Sequence, residues 1–156
     1  LIHVGENHIQ TTCGSATISS RIIREKYPDY EKVIPKDNPY KLLVEKETLI
    51  DSVKRVSIFS NKTTKQISLN ICSEEITITT EDAESVTSAV EKIPCKYDGE
   101  ATTIGYNANF LIEVMKQQST NKTEVLLKNP LSAAVFFDKS EEMLKTTLLM
   151  PIRLND

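Results

Sequence analysis

Two histidines, His3 and His8, stand five residues apart across a Gly-Glu-Asn segment. Two imidazoles on a hairpin can hold a metal ion. A structural zinc site takes four ligands, however, and the neighbouring sequence supplies no others. Both histidines therefore read as edge or surface residues, and no metal is expected. Cys13, Cys72 and Cys95 are odd in number and far apart. That pattern argues against a disulfide framework and for a reducing compartment. None of the three has a histidine beside it, so each is expected to be a buried, inert thiol. Carboxylates cluster at Ser73–Glu75, read as a hairpin tip, and at Glu81–Ser85, read as a strand connection. Paired carboxylates do acid–base work only in a concave site that shifts their pKa values. Both segments read as solvated loops. With 4 glycines in the chain, no glycine-rich phosphate loop is available. Asn-Lys-Thr occurs at Asn61 and Asn121 and fits a glycosylation pattern, which a reducing compartment makes accidental. No segment supplies both a nucleophile and a base, so no catalytic residue and no cofactor are expected.

The surrounding chain is that of an ordinary globular domain. Its 156 residues suffice for one core and a fragment of a second domain. At 39% hydrophobic and 26% charged it matches neither a disordered nor a membrane class. No apolar run approaches the roughly 20 residues of a membrane span. The opening "LIHVGENH" has no basic n-region and reads as mid-strand, so the chain is expected to begin inside a larger, cytoplasmic protein. A net charge of −3 ranks nucleic-acid contact low on composition alone.

Strand-like alternation dominates. "LIHV" and "HIQTTC" read as two strands about the Gly-Glu-Asn turn, and "SATISSRII" as a third. Pro28, Pro35 and Pro39 then make residues 24–40 an extended connector, with the domain boundary within it. "YKLLVEK" is a strand. Leu49, Ile50, Val53 and Val56 recur at helical spacing in "ETLIDSVKRVSIF", with Asp51, Lys54 and Arg55 on other faces. "TTKQISLNIC" and "ITITT" form a hairpin. "ESVTSAVEKIPC" is a strand with a bulge or break expected at Pro94. "ATTIGY" is a short strand. "NANFLIEVMKQQ" is a second helix with Asn107 as N-cap and Leu111, Val114 and Met115 on one face. Phe110 adjoins that face and reads as core. "TEVLLKN", "AAVFFDK" and "KTTLLMPI" close the chain as strands. The fold class is α+β, with two helices on one face of an antiparallel sheet. Lys54 and Arg55 on the first helix and Lys116 on the second are the only helical basic surface, partly offset by Asp51 and Glu113.

Two segments are more specific. "KYPDYEKVIPK" (26–36) and the terminal "LLMPIRL" (148–154) together resemble the bacterial β sliding clamp family, the processivity subunit of DNA polymerase III. That family carries a "[FY]PDY…V[LI]P" connector between its second and third domains and ends in an apolar "-MP-RL". "SIFSN" and "IGYNANFLIEVM" resemble the family's first-helix exit and second helix. The resemblance covers the whole chain. It implies the DNA clamp fold, with residues 1–33 the remnant of the second, central domain and 34–156 the complete third domain.

The resemblance further implies a non-catalytic role. In the family, two three-domain subunits close head to tail into a homodimeric ring around duplex DNA, without sequence preference. The polymerase III catalytic subunit, the clamp loader and other proteins dock through short peptides bearing a Gln and Leu or Phe anchors. Carried over by motif, the peptide groove takes Pro28, Lys32 and Val33 from the connector and Thr64 from the turn before the hairpin. It takes Asn107 and Phe110 from the second helix, and Leu131 and Ala133 by a looser alignment. The terminus supplies Leu148, Leu149, Met150, Pro151, Ile152, Arg153 and Leu154. Lys54, Arg55 and Lys116 would face the DNA. Ile58 and Phe59 would meet the neighbouring subunit. A topological ring needs only weak, screened attraction to phosphate, which reconciles it with a mildly acidic chain. Lys32 stands where some members carry Arg, and Thr64 where some carry an aromatic. Asn155 and Asp156 extend past the usual Arg-Leu end; if they fold over the groove, deleting them should strengthen peptide binding, and unchanged binding would make them a frayed tail. Alternatives are a protein-interaction domain of clamp fold that never encircles DNA, and a hydrolase using cysteine or carboxylate. The latter lacks its residue pair.

Overall fold

The computed structural model describes residues 1–140 and 143–154. The backbone separates into two compact units, Leu1–Glu31 and the chain from Lys32 onward. The first holds β1 (Ile2–Val4), β2 (His8–Cys13) and β3 (Ala16–Arg21), paired antiparallel in that order. Gly14, at φ +59°, takes the left-handed position of the β2–β3 turn that a Cβ would disfavour. Ile2, Val4 and Ile18 are exposed, so these three strands form no core of their own.

The second unit contains β4 (Tyr40–Glu45), α1 (Lys46–Ser57), β5 (Gln66–Ile71), β6 (Glu75–Asp82), β7 (Thr87–Tyr97) and β8 (Thr102–Asn107). Next come α2 (Ala108–Lys116), β9 (Lys122–Leu127), β10 (Ala134–Ser140) and β11 (Met143–Leu149). The eight strands form one antiparallel sheet in the order β11-β10-β9-β4-β7-β6-β5-β8. Ile67, Leu69 and Ile71 of β5, with Ile76 and Ile78 of β6, alternate inward. Leu49, Ile50, Val53 and Val56 of α1 and Leu111, Val114 and Met115 of α2 complete the same core. Burying each such side chain contributes about 1.5–3 kcal/mol, which outweighs the modest helix propensity of the β-branched residues in α1.

The expected break at Pro94 does not occur. β7 runs through it, paired with β6 up to Glu75 opposite Pro94 and with β4 from Cys95 onward. Proline is tolerated because the Cys95 and Tyr97 amides donate to the Glu74 and Ser73 carbonyls on the β6 side, which turns the Pro94 nitrogen to the opposite edge, where the β4 pairing reaches only to Cys95.

β11 and β8 stand at opposite ends of the sheet order. Yet the Ile152 amide, three residues beyond Leu149, donates to the Gly105 carbonyl of β8 at 2.9 Å. Three residues span at most about 10 Å. The sheet therefore curls until its two ends nearly meet, and residues 150–154 form a strap that joins them.

Candidate functional site

Asn107 caps α2. Its Oδ1 accepts the amide hydrogens of Asn109 at 3.0 Å and Phe110 at 3.3 Å. Its Nδ2 donates to the Thr64 carbonyl at 2.8 Å, and the Ala108 amide donates to the Lys65 carbonyl. The turn before β5 and the first turn of α2 are thus one unit. Phe110 leaves it 58% exposed. The core reading of Phe110 fails because Leu111, Val114 and Met115 take the buried stripe, which puts Phe110 on the outward side of the first turn.

The strap arrives two residues upstream of Asn107, at Gly105. Met150 is 59% exposed, Pro151, Ile152 and Leu154 are half-buried, and Arg153 is exposed. Leu149 pairs with Ala134, so Ala133 lies just past the end of that pairing. Ala133 and Leu149 are buried, Leu148 is half-buried, and Leu131 is 63% exposed. Asn38 of the connector ties this end together: its Nδ2 donates to the Ala133 carbonyl at 2.9 Å and to Leu126 at 3.0 Å. Lys32 and Val33 are exposed at the start of the same unit. Pro28 is exposed in the first unit. Asn155 and Asp156 lie outside the described residues. The sequence reading missed Asn38 and Gly105. An asparagine between two connector prolines and a glycine inside a strand were the available signals.

An open depression of about 790 Å³ on the sheet surface is lined by residues of β5, β6 and β7. It meets the groove set only at Leu154 and is a separate feature.

The helical cations are largely engaged. Lys54 pairs with Asp51 at 3.0 Å. Arg55 pairs with Glu91 of β7, its Nε reaching Oε2 at 3.1 Å, and Ser52 bridges the two. The hydrogen bond from Arg55 lowers the Glu91 pKa, and Glu91 in turn raises that of Arg55. Lys116 is exposed at the end of α2.

Ile58 and Phe59 are exposed beyond α1. The Phe59 carbonyl accepts the Thr87 hydroxyl at 3.0 Å. Beside it, Val86 is exposed at φ +52°, a strained position for a β-branched residue. Asp82 anchors that turn by accepting from Ser85 Oγ at 2.7 Å and the Glu84 amide at 3.3 Å, and it also accepts from Asn61. These bonds, the Ser85 hydroxyl first, lower its pKa. Asp82 is buried, contrary to the solvated-loop reading, because its oxygens replace water with turn donors.

Cys13 and Cys72 are exposed, not buried as expected: one ends β2 and the other opens a hairpin tip. Cys95 is buried, and burial pushes its thiol pKa up to about 11. Among the described residues no group of three His, Cys, Asp or Glu could hold a metal ion. Among them, too, no helix is long and apolar enough to cross a membrane.

Residues 31–153 match the family described as DNA polymerase III beta subunit, C-terminal domain. The chain belongs to that family. It is 28% identical over 153 residues to the beta sliding clamp of Pseudomonas putida and 30% identical to that of Caulobacter vibrioides. Each match covers 98% of this chain and 41% of the relative. The fold superposes on the Bartonella birtlesii clamp bound to griselimycin with a TM-score of 0.84 and 27% identity. On the Caulobacter crescentus clamp the TM-score is 0.83, with 30% identity. The α+β architecture, two helices on a large antiparallel sheet, is therefore the DNA clamp fold. The chain spans about two-fifths of the clamps it matches.

Proposed function

We propose that this chain is the C-terminal part of a ring-shaped processivity clamp of bacterial DNA replication. Residues 1–33 would close the second clamp domain and 34–156 would form the third. The subunit would encircle duplex DNA as a homodimer and tether DNA polymerase III, the clamp loader and other proteins through a peptide groove. It would do so without catalysis. The groove is the best-supported part. Phe110, Leu131 and Met150 are large apolar side chains, each more than half exposed, and hydrogen bonds fix the backbone around them. Apolar anchors on a pre-organised backbone suit capture of a Leu- or Phe-bearing segment, because little ordering entropy remains to be lost on binding.

Griselimycin, held by the Bartonella birtlesii and Pseudomonas aeruginosa clamps, supplies a probe. Calorimetry of the chain with griselimycin, and anisotropy with a labelled peptide carrying Gln, Leu and Phe, should both show saturable binding. Absence of binding by both would remove the groove reading.

A clamp-fold interaction domain that never encircles DNA is the second reading. The engagement of Lys54 by Asp51 and of Arg55 by Glu91 favours it, since two of the cations expected to face DNA are partly neutralised. Retention of the full-length parent on circular but not linear duplex DNA decides between them, because a topological link is lost at a free end.

A further inference from the structure

Gly105 lies inside β8, where glycine costs backbone entropy and contributes no packing. Its φ does not require glycine: among the described residues Gly14 is the only glycine at positive φ. What Gly105 provides is space. A Cβ built there would stand 2.7 Å from the Ile152 carbonyl oxygen, 2.7 Å from Leu154 Cδ2 and 2.9 Å from Leu154 Cγ. All three belong to the strap. One is backbone, which cannot rotate away as a side-chain tip can. Any other residue would therefore lift the strap off β8 and stretch the 2.9 Å bond from the Ile152 amide to the Gly105 carbonyl.

Among the described residues, the one backbone hydrogen bond of the strap is that from Ile152 to Gly105, beside the packing of its half-buried side chains. Pro151 has no amide hydrogen, and the Gly105–Ile152 bridge stands outside the ladders of the named strands. Two residues further along β8, Asn107 fixes Phe110 and the Thr64 turn. Gly105 thus contacts the strap that carries Met150 and stands two residues from the Asn107 cap that holds Phe110.

We propose that Gly105 is a positioning residue for ligand capture: its missing side chain seats the strap, and the seated strap sets the spacing of the Met150 and Phe110 walls. This rests on the groove reading given above. A Cβ here would cost β8 nothing in φ, so its effect should fall on the strap and on binding and not on the β5–β8 ladder.

The test compares the chain with Gly105→Ala, Ile152→Pro and Ile152→Ala; the second removes the amide donor without altering the β8 sequence, and the third removes the same side chain but keeps the amide. Anisotropy with the Gln-Leu-Phe peptide reads binding. Amide hydrogen exchange reads the Ile152 bond and the β5–β8 ladder separately. Gly105→Ala should weaken the peptide about tenfold or more. The Ile152 amide should lose protection while the β5–β8 ladder keeps it. Ile152→Pro should weaken binding in the same direction. Equal peptide affinity in Gly105→Ala and the parent chain, with the ladder intact, overturns the proposal. If Gly105→Ala loses ladder protection, Ile152→Pro is judged against Ile152→Ala: weaker binding in Ile152→Pro than in Ile152→Ala supports the proposal and equal binding in the two overturns it. If the parent chain binds no peptide, the groove reading has failed and takes this proposal with it, and that outcome appears in the parent arm alone.

Discussion

The Asn107 side chain joins two walls at once: Nδ2 donates to the Thr64 carbonyl at 2.8 Å while Oδ1 accepts from the first turn of α2. The two roles are separable by chemistry. Asparagine supplies a donor and an acceptor, aspartate only acceptors, and alanine neither.

Asn107→Ala should lower stability by about 1 kcal/mol through loss of the cap. Asn107→Asp should keep that stability, since a carboxylate caps as well and suits the positive end of the helix. It should nevertheless weaken peptide binding, because the Thr64 turn loses its donor. Urea denaturation and peptide anisotropy on both variants check this. Equal peptide affinity in Asn107→Asp and the parent would contradict it.

The Arg55–Glu91 pair has a signed pH dependence. Arg55 holds the Glu91 pKa below its ordinary 4.5 in the folded chain. The ionised form is thus favoured by folding, and its contribution is fully present above the ordinary value. It disappears as pH falls through the lowered value. Glu91→Gln should therefore be less stable than the parent at neutral pH, and the gap should close on acidification below the usual carboxylate range. Urea midpoints across pH measure it. A gap that widens in acid would contradict the assignment.

The same substitution frees Arg55 for phosphate. If α1 faces DNA, the salt dependence of weak duplex binding by Glu91→Gln should steepen by about one charge. Binding titrations at several salt concentrations give the slope. An unchanged slope would place Arg55 away from the DNA.

Val86 holds φ +52° while exposed. A left-handed conformation costs a β-branched residue about 1–2 kcal/mol, and asparagine tolerates it far better. Val86→Asn should raise stability by about 1 kcal/mol. If Val86 shares the Ile58–Phe59 contact, the substitution should also weaken dimerisation of the full-length parent. Calorimetric melting and sedimentation read the two effects. A fall in melting temperature would refute the strain argument.

The thiols should separate by burial. Native alkylation at pH 8 should label Cys13 and Cys72, whereas Cys95, at a pKa of about 11, offers about a thousandth of its population as thiolate. Cys95 should label only after denaturation. Peptide mass mapping reports each site. Native labelling of Cys95 on the same timescale as Cys72 would contradict its placement.

The order of strands and helices from Tyr40 to Leu149 follows from local pattern. Leu49, Ile50, Val53 and Val56 repeat at helical spacing, and Ile67, Leu69 and Ile71 alternate as a strand does, because only those periods bring their side chains to one face. Asn107 as a cap is local chemistry too. The two motifs, at 26–36 and 148–154, were enough to name the family. What sequence could not decide was long-range. Phe110 is outward because three neighbours already fill the buried stripe. Asp82 is buried because Ser85, Asn61 and the Glu84 amide converge on it. Pro94 is harmless because its nitrogen faces the β4 edge, where pairing reaches only to Cys95. The partnership of Gly105 with Ile152 and Leu154 links residues nearly fifty positions apart. It exists only because the sheet curls far enough for one end to reach the other. That curl is the accumulated twist of eight paired strands, a property of the assembled sheet.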